Sequence, residues 1–148
     1  MIELMVTMGL LAVLVAVGLP QLQGMSSGNR MTSTINALAA DLSLARSEAV
    51  TRNTTVTINP AAVGDWTTGW TLDTPTARIR TAGSIPNNMT LTIAGSATMS
   101  YSNQGLNAEG TVVSFQLCEP TRKVRTIQIT ATGRHTTSLG AAPQPTCP

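Results

Sequence analysis

The hydrophobic pattern changes twice along the chain. Residues 4–19 are almost wholly apolar, and no charged residue occurs between Glu3 and Arg30. Within residues 35–49, apolar side chains recur three or four positions apart, which is the spacing of one helix face. From Thr54 onward, apolar and polar residues alternate, as they do in half-buried strands. The pattern therefore predicts an apolar helix, an amphipathic helix and a β-rich region.

The apolar segment has about the length needed to cross a membrane. Residues 2–19 comprise 18 positions, whereas a bilayer core takes roughly 20 helical residues, with about 17 as the lower limit. Two alternatives are a cleaved secretory signal and a helix buried in a soluble core. A secretory signal begins with basic residues, and none precedes this segment. A helix that packs on the core of a small soluble domain keeps a polar face, which this segment lacks, so a membrane helix is predicted.

The second helix is predicted to pack on the β-rich region through one apolar stripe. The stripe consists of Ile35, Leu38, Leu42, Ala45 and Ala49. We expect the charged residues of this helix to lie on a solvated face, with Glu48 and Arg52 forming an i, i+4 ion pair. These charged residues are Asp41, Arg46, Glu48 and Arg52. Pro20 removes a helical hydrogen bond, which predicts a bend or a loosened turn between residues 18 and 28.

Four segments of alternating residues predict one antiparallel sheet. They are residues 54–58, 89–93, 113–117 and 126–130, and turn-forming residues lie between them. The sheet has one apolar face to cover, and the helical stripe is the element that covers it. The predicted class is α+β, with an apolar helix over 1–24, an amphipathic helix over 25–53 and a β-rich domain over 54–148.

Composition and motifs argue against an enzyme. Charged residues make up 11% of the chain, against a usual value of ~25%, which disfavours a charged coiled coil or a basic nucleic-acid module. His135 is the only histidine, and no catalytic motif, phosphate-binding glycine loop or metal-ligand spacing is present. We predict no catalytic residue, metal, cofactor or small-molecule substrate. His135 is expected in an exposed loop, and Trp66 and Trp70 in the packed face of a strand.

The start of the chain resembles the N-terminus of type IV pilins and type II secretion pseudopilins. The resemblance lies in Ile2-Glu3-Leu4-Met5-Val6-Thr7, the aliphatic run that follows, and Pro20. It implies that Glu3 pairs with the N-terminal amine of a neighbouring subunit and that Pro20 kinks the helix during assembly. It also implies that the sequence begins two residues inside the mature protein, so the leader peptide and N-methylation cannot be read from it.

Four later segments are similar to the GspH/FimT family of minor pilins and pseudopilins. Residues 44–53 (LARSEAVTRN) match its LARSEAV-x-R-N segment, residues 69–72 (GWTL) its G-W-x-x-F strand, and Ser102–Gly105 and Thr132–Arg134 two glycine turns. The resemblance implies a pilin-like fold and a fibre made with other pilin subunits. It also implies storage in the bacterial inner membrane as a single-pass protein with a periplasmic domain. A type II secretion pseudopilin is the alternative role.

The two cysteines, Cys118 and Cys147, suit a disulfide better than a metal or redox site. Neither has a histidine or acidic cluster beside it, and their spacing is not that of a C-x-x-C motif. The resemblance implies a similar C-terminal bridge. A bridge places the domain outside the bacterial cytoplasm, in the periplasm or a fibre. Alkylation of either cysteine in the unreduced protein would contradict it.

The C-terminal region carries a local excess of basic residues. Arg122, Lys123, Arg125 and Arg134 give residues 111–148 a net charge of +3. One interpretation is a solvated hairpin that keeps a fibre subunit soluble. The other is a patch that binds double-stranded DNA through its phosphates, without reading bases. The FimT branch implies DNA binding through a G-R-x-R loop, and here Thr136 stands at the second arginine.

Overall fold

A single long helix forms the N-terminal third of the protein. The computed structural model describes residues 2–119 and 124–139, except for the side chains of residues 17–27 and Leu139. Helix α1 spans Ile2–Thr51 and contains 50 residues. Its helical backbone continues through Pro20, so the predicted bend does not divide it into two helices. The predicted boundary at residues 24/25 lies inside α1.

The described residues contain no helix whose length and apolar character together are sufficient for a membrane span. The side chains of residues 17–24 lie outside the described ones, so the transmembrane segment predicted for residues 1–24 stays a prediction.

The C-terminal half of α1 buries the predicted apolar stripe. All five stripe residues are at most 1% exposed, and Met31 extends the stripe by one turn. The predicted ion pair between Glu48 and Arg52 is confirmed. The solvated face predicted for the other two charged residues is wrong, because Asp41 is buried and Arg46 is half-buried against the domain.

Eight strands follow α1 within the described residues. In chain order they are β1 (Val56–Ala62), β2 (Asp65–Asp73), β3 (Arg78–Thr81), β4 (Thr90–Ala94), β5 (Met99–Tyr101), β6 (Val113–Cys118), β7 (Val124–Ile129) and β8 (His135–Leu139). They form two four-stranded sheets with the orders β3-β2-β1-β5 and β4-β6-β7-β8. Every pairing is antiparallel.

Both sheets share one hydrophobic core with the helical stripe. Trp66 of β2 and Phe115 of β6 meet edge to face across the two sheets, with ring centroids 4.9 Å apart and ring planes at 76°. This is a favourable aromatic geometry. Trp70 is also buried, which confirms that the two tryptophans are packing residues.

Four predicted strands are confirmed as β1, β4, β6 and β7, but the prediction of a single sheet is wrong. Strand β6 is buried at five of its six positions, so it has packing on both faces, which a single half-covered sheet does not provide. Alternation did not predict β2, β3, β5 and β8, although the family resemblance of residues 69–72 indicated β2. Strands β3 and β8 are dominated by polar side chains, and β5 has three residues.

Candidate functional site

The N-terminal segment of α1 exposes an apolar surface that the domain does not cover. Its large apolar side chains between Ile2 and Val15 are each 53–79% exposed. Glu3 is the single ionisable residue of this surface, and within the described part of the chain it forms no ion pair. A contiguous apolar surface of this kind marks a site of interaction with protein or lipid. Pro20 lies beyond the described side chains, so its role in assembly stays a prediction.

A buried carboxylate connects α1 to the first sheet. Asp41 is 1% exposed, accepts a 2.9 Å hydrogen bond from Trp70 Nε1 and lies 3.1 Å from the Arg80 guanidinium. Sequence reasoning placed Asp41 in solvent because of its charge. Its position in the helix predicts burial, since Asp41 lies three residues after Leu38 and four before Ala45, on the apolar stripe.

Arg46 joins three of the segments that carry the family resemblance. Its Nε donates to the Gly105 carbonyl at 2.8 Å, and its Nη2 donates to the Thr132 carbonyl at 3.2 Å. Residues 44–53 thereby hold the two glycine turns beside the end of the helix. A hydrogen bond from a charged donor contributes about 1.5–3 kcal/mol, so Arg46 is the principal polar tie between α1 and the β7–β8 turn.

The two turns contact each other so closely that glycine is required. Gly105 and Gly133 have φ values of 72° and 76°, in the left-handed region that favours glycine. A Cβ on Gly133 would lie 2.2 Å from the Gly105 carbonyl oxygen. The position of Arg134, the next residue, is therefore fixed by a backbone contact as well as by Arg46.

Tyr101, the only tyrosine of the chain, is buried beside this junction. Its hydroxyl has no hydrogen-bond partner among the described residues. Burial raises the pKa of Tyr101 to about 12, although the nearby Arg46 charge acts in the opposite direction. The neutral phenol is therefore the form that the fold stabilises.

This raised pKa predicts a loss of stability at alkaline pH. In the unfolded chain the tyrosine loses its proton near pH 10. The folded state keeps its full stability below pH 10, and the free energy of unfolding falls by on the order of 2–3 kcal/mol as the pH rises towards 12. Tyrosinate absorbance of the folded protein should have its midpoint near pH 12. Tyr101→Phe should remove this part of the pH dependence without lowering stability at neutral pH, because the hydroxyl has no partner to lose. A midpoint near pH 10 would contradict the prediction.

The structure separates the described members of the predicted basic patch. Arg125 pairs with Leu139 at one end of the β7–β8 hairpin, whereas Ile129 pairs with His135 at the other. Arg134 lies in the turn beyond that second end. The four intervening residues of β7 put roughly 13 Å between the two arginines, so they do not form one compact cluster. Arg122 and Lys123 lie outside the described residues.

Arg134 and His135 differ in their environments. Arg134 is exposed, and its guanidinium has no hydrogen-bond or ion-pair partner in the described ranges. His135 begins β8 and is half-buried, so its prediction as an exposed loop residue is wrong. The reason is the pairing of His135 with Ile129, which extends the hairpin ladder to the turn. His135 lines an open cleft of about 420 Å³ with Ser43, Arg46, Ser47, Val50 and Thr51.

Two remaining predictions concern the cysteines and metals. Cys118 is buried at the end of β6, but Cys147 lies outside the described residues, so the bridge between them stays a prediction. Among residues 2–119 and 124–139, no group of three or more histidine, cysteine or acidic side chains has a geometry that could hold a metal ion.

Comparisons with known proteins agree with this architecture. The family described as "Type II transport protein GspH" matches residues 34–133. The structure is similar to the type IV minor pilin FimU of Pseudomonas aeruginosa, with a TM-score of 0.69 and 22% identity, covering 77% of this chain and 92% of that one. It is also similar to the minor pseudopilin EpsH of the Vibrio cholerae type 2 secretion system, with a TM-score of 0.57 and 10% identity, covering 74% and 97%. No curated protein sequence is significantly similar. These likenesses confirm the predicted pilin-like α+β fold.

Proposed function

The chain belongs to the GspH family of minor pilins and pseudopilins, and on that basis we propose that it is a structural minor pilin of a type IV pilus. The observation that carries this proposal is the exposed apolar surface of α1 between Ile2 and Val15. This surface continues as one helix into the folded domain, so burying it against other subunits would attach the domain rigidly to a fibre.

Helix packing also accounts for the single acid of the surface. Desolvating a carboxylate is costly unless a cation lies beside it. In the proposed fibre, Glu3 pairs with the N-terminal amine of an adjacent subunit, while the surrounding apolar residues pack against neighbouring helices. Before assembly, the inner membrane would hold the same apolar residues, with the domain in the periplasm.

A type II secretion pseudopilin is the alternative, because its helix would have the same chemistry. Deletion of the gene distinguishes the two roles. The pilus role predicts a loss of surface pili with normal export of folded proteins. Normal piliation together with exoproteins retained in the periplasm would instead assign the chain to secretion.

A second function, binding of double-stranded DNA, is favoured by one observation. Arg134 is exposed at a turn held by Arg46 and has no acidic partner in the described part of the chain. An unpaired guanidinium on a turn whose backbone is held in place is suited to bind a phosphate. Binding would be independent of base sequence and sensitive to salt.

We expect Arg134→Ala to weaken DNA binding about fivefold and to lower the salt slope by about one, as for the loss of one phosphate contact. The measurement is a gel-shift titration of a short duplex with the full chain in a non-ionic detergent. Arg30→Ala is the matched control, because Arg30 is also an exposed arginine but lies on α1. Equal binding by the wild type and Arg134→Ala would refute the role of Arg134.

A further inference from the structure

The cleft beside Arg134 combines several unused hydrogen-bond donors. It is lined by Ser43, Ser47 and Thr51, by Arg46 and Val50 of the same helix, and by His135 of β8. The hydroxyls of Ser47 and Thr51 are exposed and make no hydrogen bond to any described residue. The Ser43 hydroxyl donates to the Ala39 carbonyl, so it can only accept.

The electrostatics of this cleft favour an anion. Among the described residues, its lining includes Arg46 and His135 and no acidic residue. The nearest acid on the helix, Glu48, is paired with Arg52. The other charged group beside the cleft is Arg134, which adjoins His135 in sequence and is exposed.

The C-terminus of α1 repels an anion in the cleft less than a helix C-terminus with unpaired carbonyls would. Unpaired carbonyls give a helix C-terminus a partial negative charge. In this helix the carbonyls of Glu48, Ala49 and Val50 accept hydrogen bonds from the backbone N–H groups of residues 52, 54 and 53 respectively. These C-terminal carbonyls therefore have hydrogen-bond partners within the chain, which reduces the negative charge that the helix presents to the cleft.

We propose that this cleft is a phosphate-binding subsite, in which His135, Ser47 and Thr51 donate hydrogen bonds to phosphate oxygens beside the positive charge of Arg46. The proposal rests on the DNA-binding function for its physiological ligand, a phosphodiester of the DNA backbone. It gives that function a second contact at His135, the residue next to Arg134 in sequence. Free phosphate has the same chemistry, so the two sources are tested separately.

The first test uses inorganic phosphate and the full chain in a non-ionic detergent. Because His135 is the only histidine, its ring signals in an NMR spectrum are unambiguous. We expect saturable shifts of these signals on phosphate addition, absent with chloride at equal ionic strength. We also expect the apparent affinity to fall about threefold or more in Ser47→Ala and to stay unchanged in Ser33→Ala, an exposed serine of α1 outside this cleft. Ring signals that phosphate does not move would overturn the subsite.

The second test uses a short DNA duplex. His135→Gln combined with Ser47→Ala should weaken duplex binding about tenfold through the loss of two hydrogen bonds to phosphate, whereas Ser33→Ala should not. If the duplex binds in an Arg134-dependent manner but the double variant binds as the wild type does, the subsite is refuted and the DNA function stands. If phosphate moves the His135 signals but no duplex binds at low salt, the subsite stands and the DNA function is refuted.

Discussion

Glu3→Gln and Glu3→Ala should remove the subunit from purified fibres while leaving the domain folded. Both changes eliminate the charge that pairs with a neighbouring amine in the proposed fibre, and removing one partner of a desolvated ion pair costs about 3–5 kcal/mol. Because Glu3 is exposed within the N-terminal apolar surface, its loss should not affect folding. We expect the ratio of variant subunit to major subunit in sheared fibres to fall about tenfold or more.

The matched control is Glu48→Gln, which removes a glutamate from the same helix. Its partner Arg52 is half-exposed, and an exposed i, i+4 pair contributes only about 0.3–0.5 kcal/mol. This variant should enter fibres at the normal ratio. Variants of Glu3 that are found in fibres at the wild-type ratio, with equal amounts in the cell envelope, would refute the role of Glu3 in assembly.

The parts of the fold that depend on local periodicity could be predicted from the sequence. The stripe from Ile35 to Ala49 and the alternation in β1, β4, β6 and β7 are properties of neighbouring residues, and burial then follows from one apolar face. Alternation does not predict the edge strands β3 and β8, because an edge strand needs no apolar face of its own. The division into two sheets depends on which strands pair, and alternation alone does not specify pairing.

The candidate site was less predictable because its contacts are distant in sequence. Arg46 binds carbonyls 59 and 86 residues away, and backbone carbonyls carry no residue-type signal. Asp41 could have been placed correctly, since its spacing from Leu38 and Ala45 is that of a buried residue. A charged side chain favours solvent, but a buried carboxylate is stable where a Trp Nε1 and an arginine satisfy it.

Turn-forming residues predicted the turns at Gly105 and Gly133, and the family resemblance singled these turns out. The G-R segment at Gly133 directed attention to the β7–β8 turn, and the structure supplies the physical reason for its glycine. The left-handed φ and the absence of room for a Cβ are separate requirements, so substitutions can measure them one at a time.

Gly133→Ala should be strongly destabilising, by about 3 kcal/mol or more. An alanine here has to adopt a left-handed φ, which costs about 1–2 kcal/mol, and its Cβ would overlap the Gly105 carbonyl oxygen that accepts from Arg46. Relieving the overlap moves one turn away from the other and weakens that hydrogen bond, which adds a cost of about 1–3 kcal/mol. Urea unfolding can be followed by fluorescence, because Trp66 and Trp70 are the only tryptophans and both are buried.

Gly110→Ala separates the cost of a left-handed φ from the cost of the Cβ overlap. Gly110 has a similar φ of 68°, but nothing lies within 4 Å of the Cβ position, so its substitution should cost only the backbone term of about 1–2 kcal/mol. The difference between the two variants then measures the contact between the turns. If Gly133→Ala proves no less stable than Gly110→Ala, the β7–β8 turn is not held against Gly105, and Arg46 alone determines where Arg134 lies.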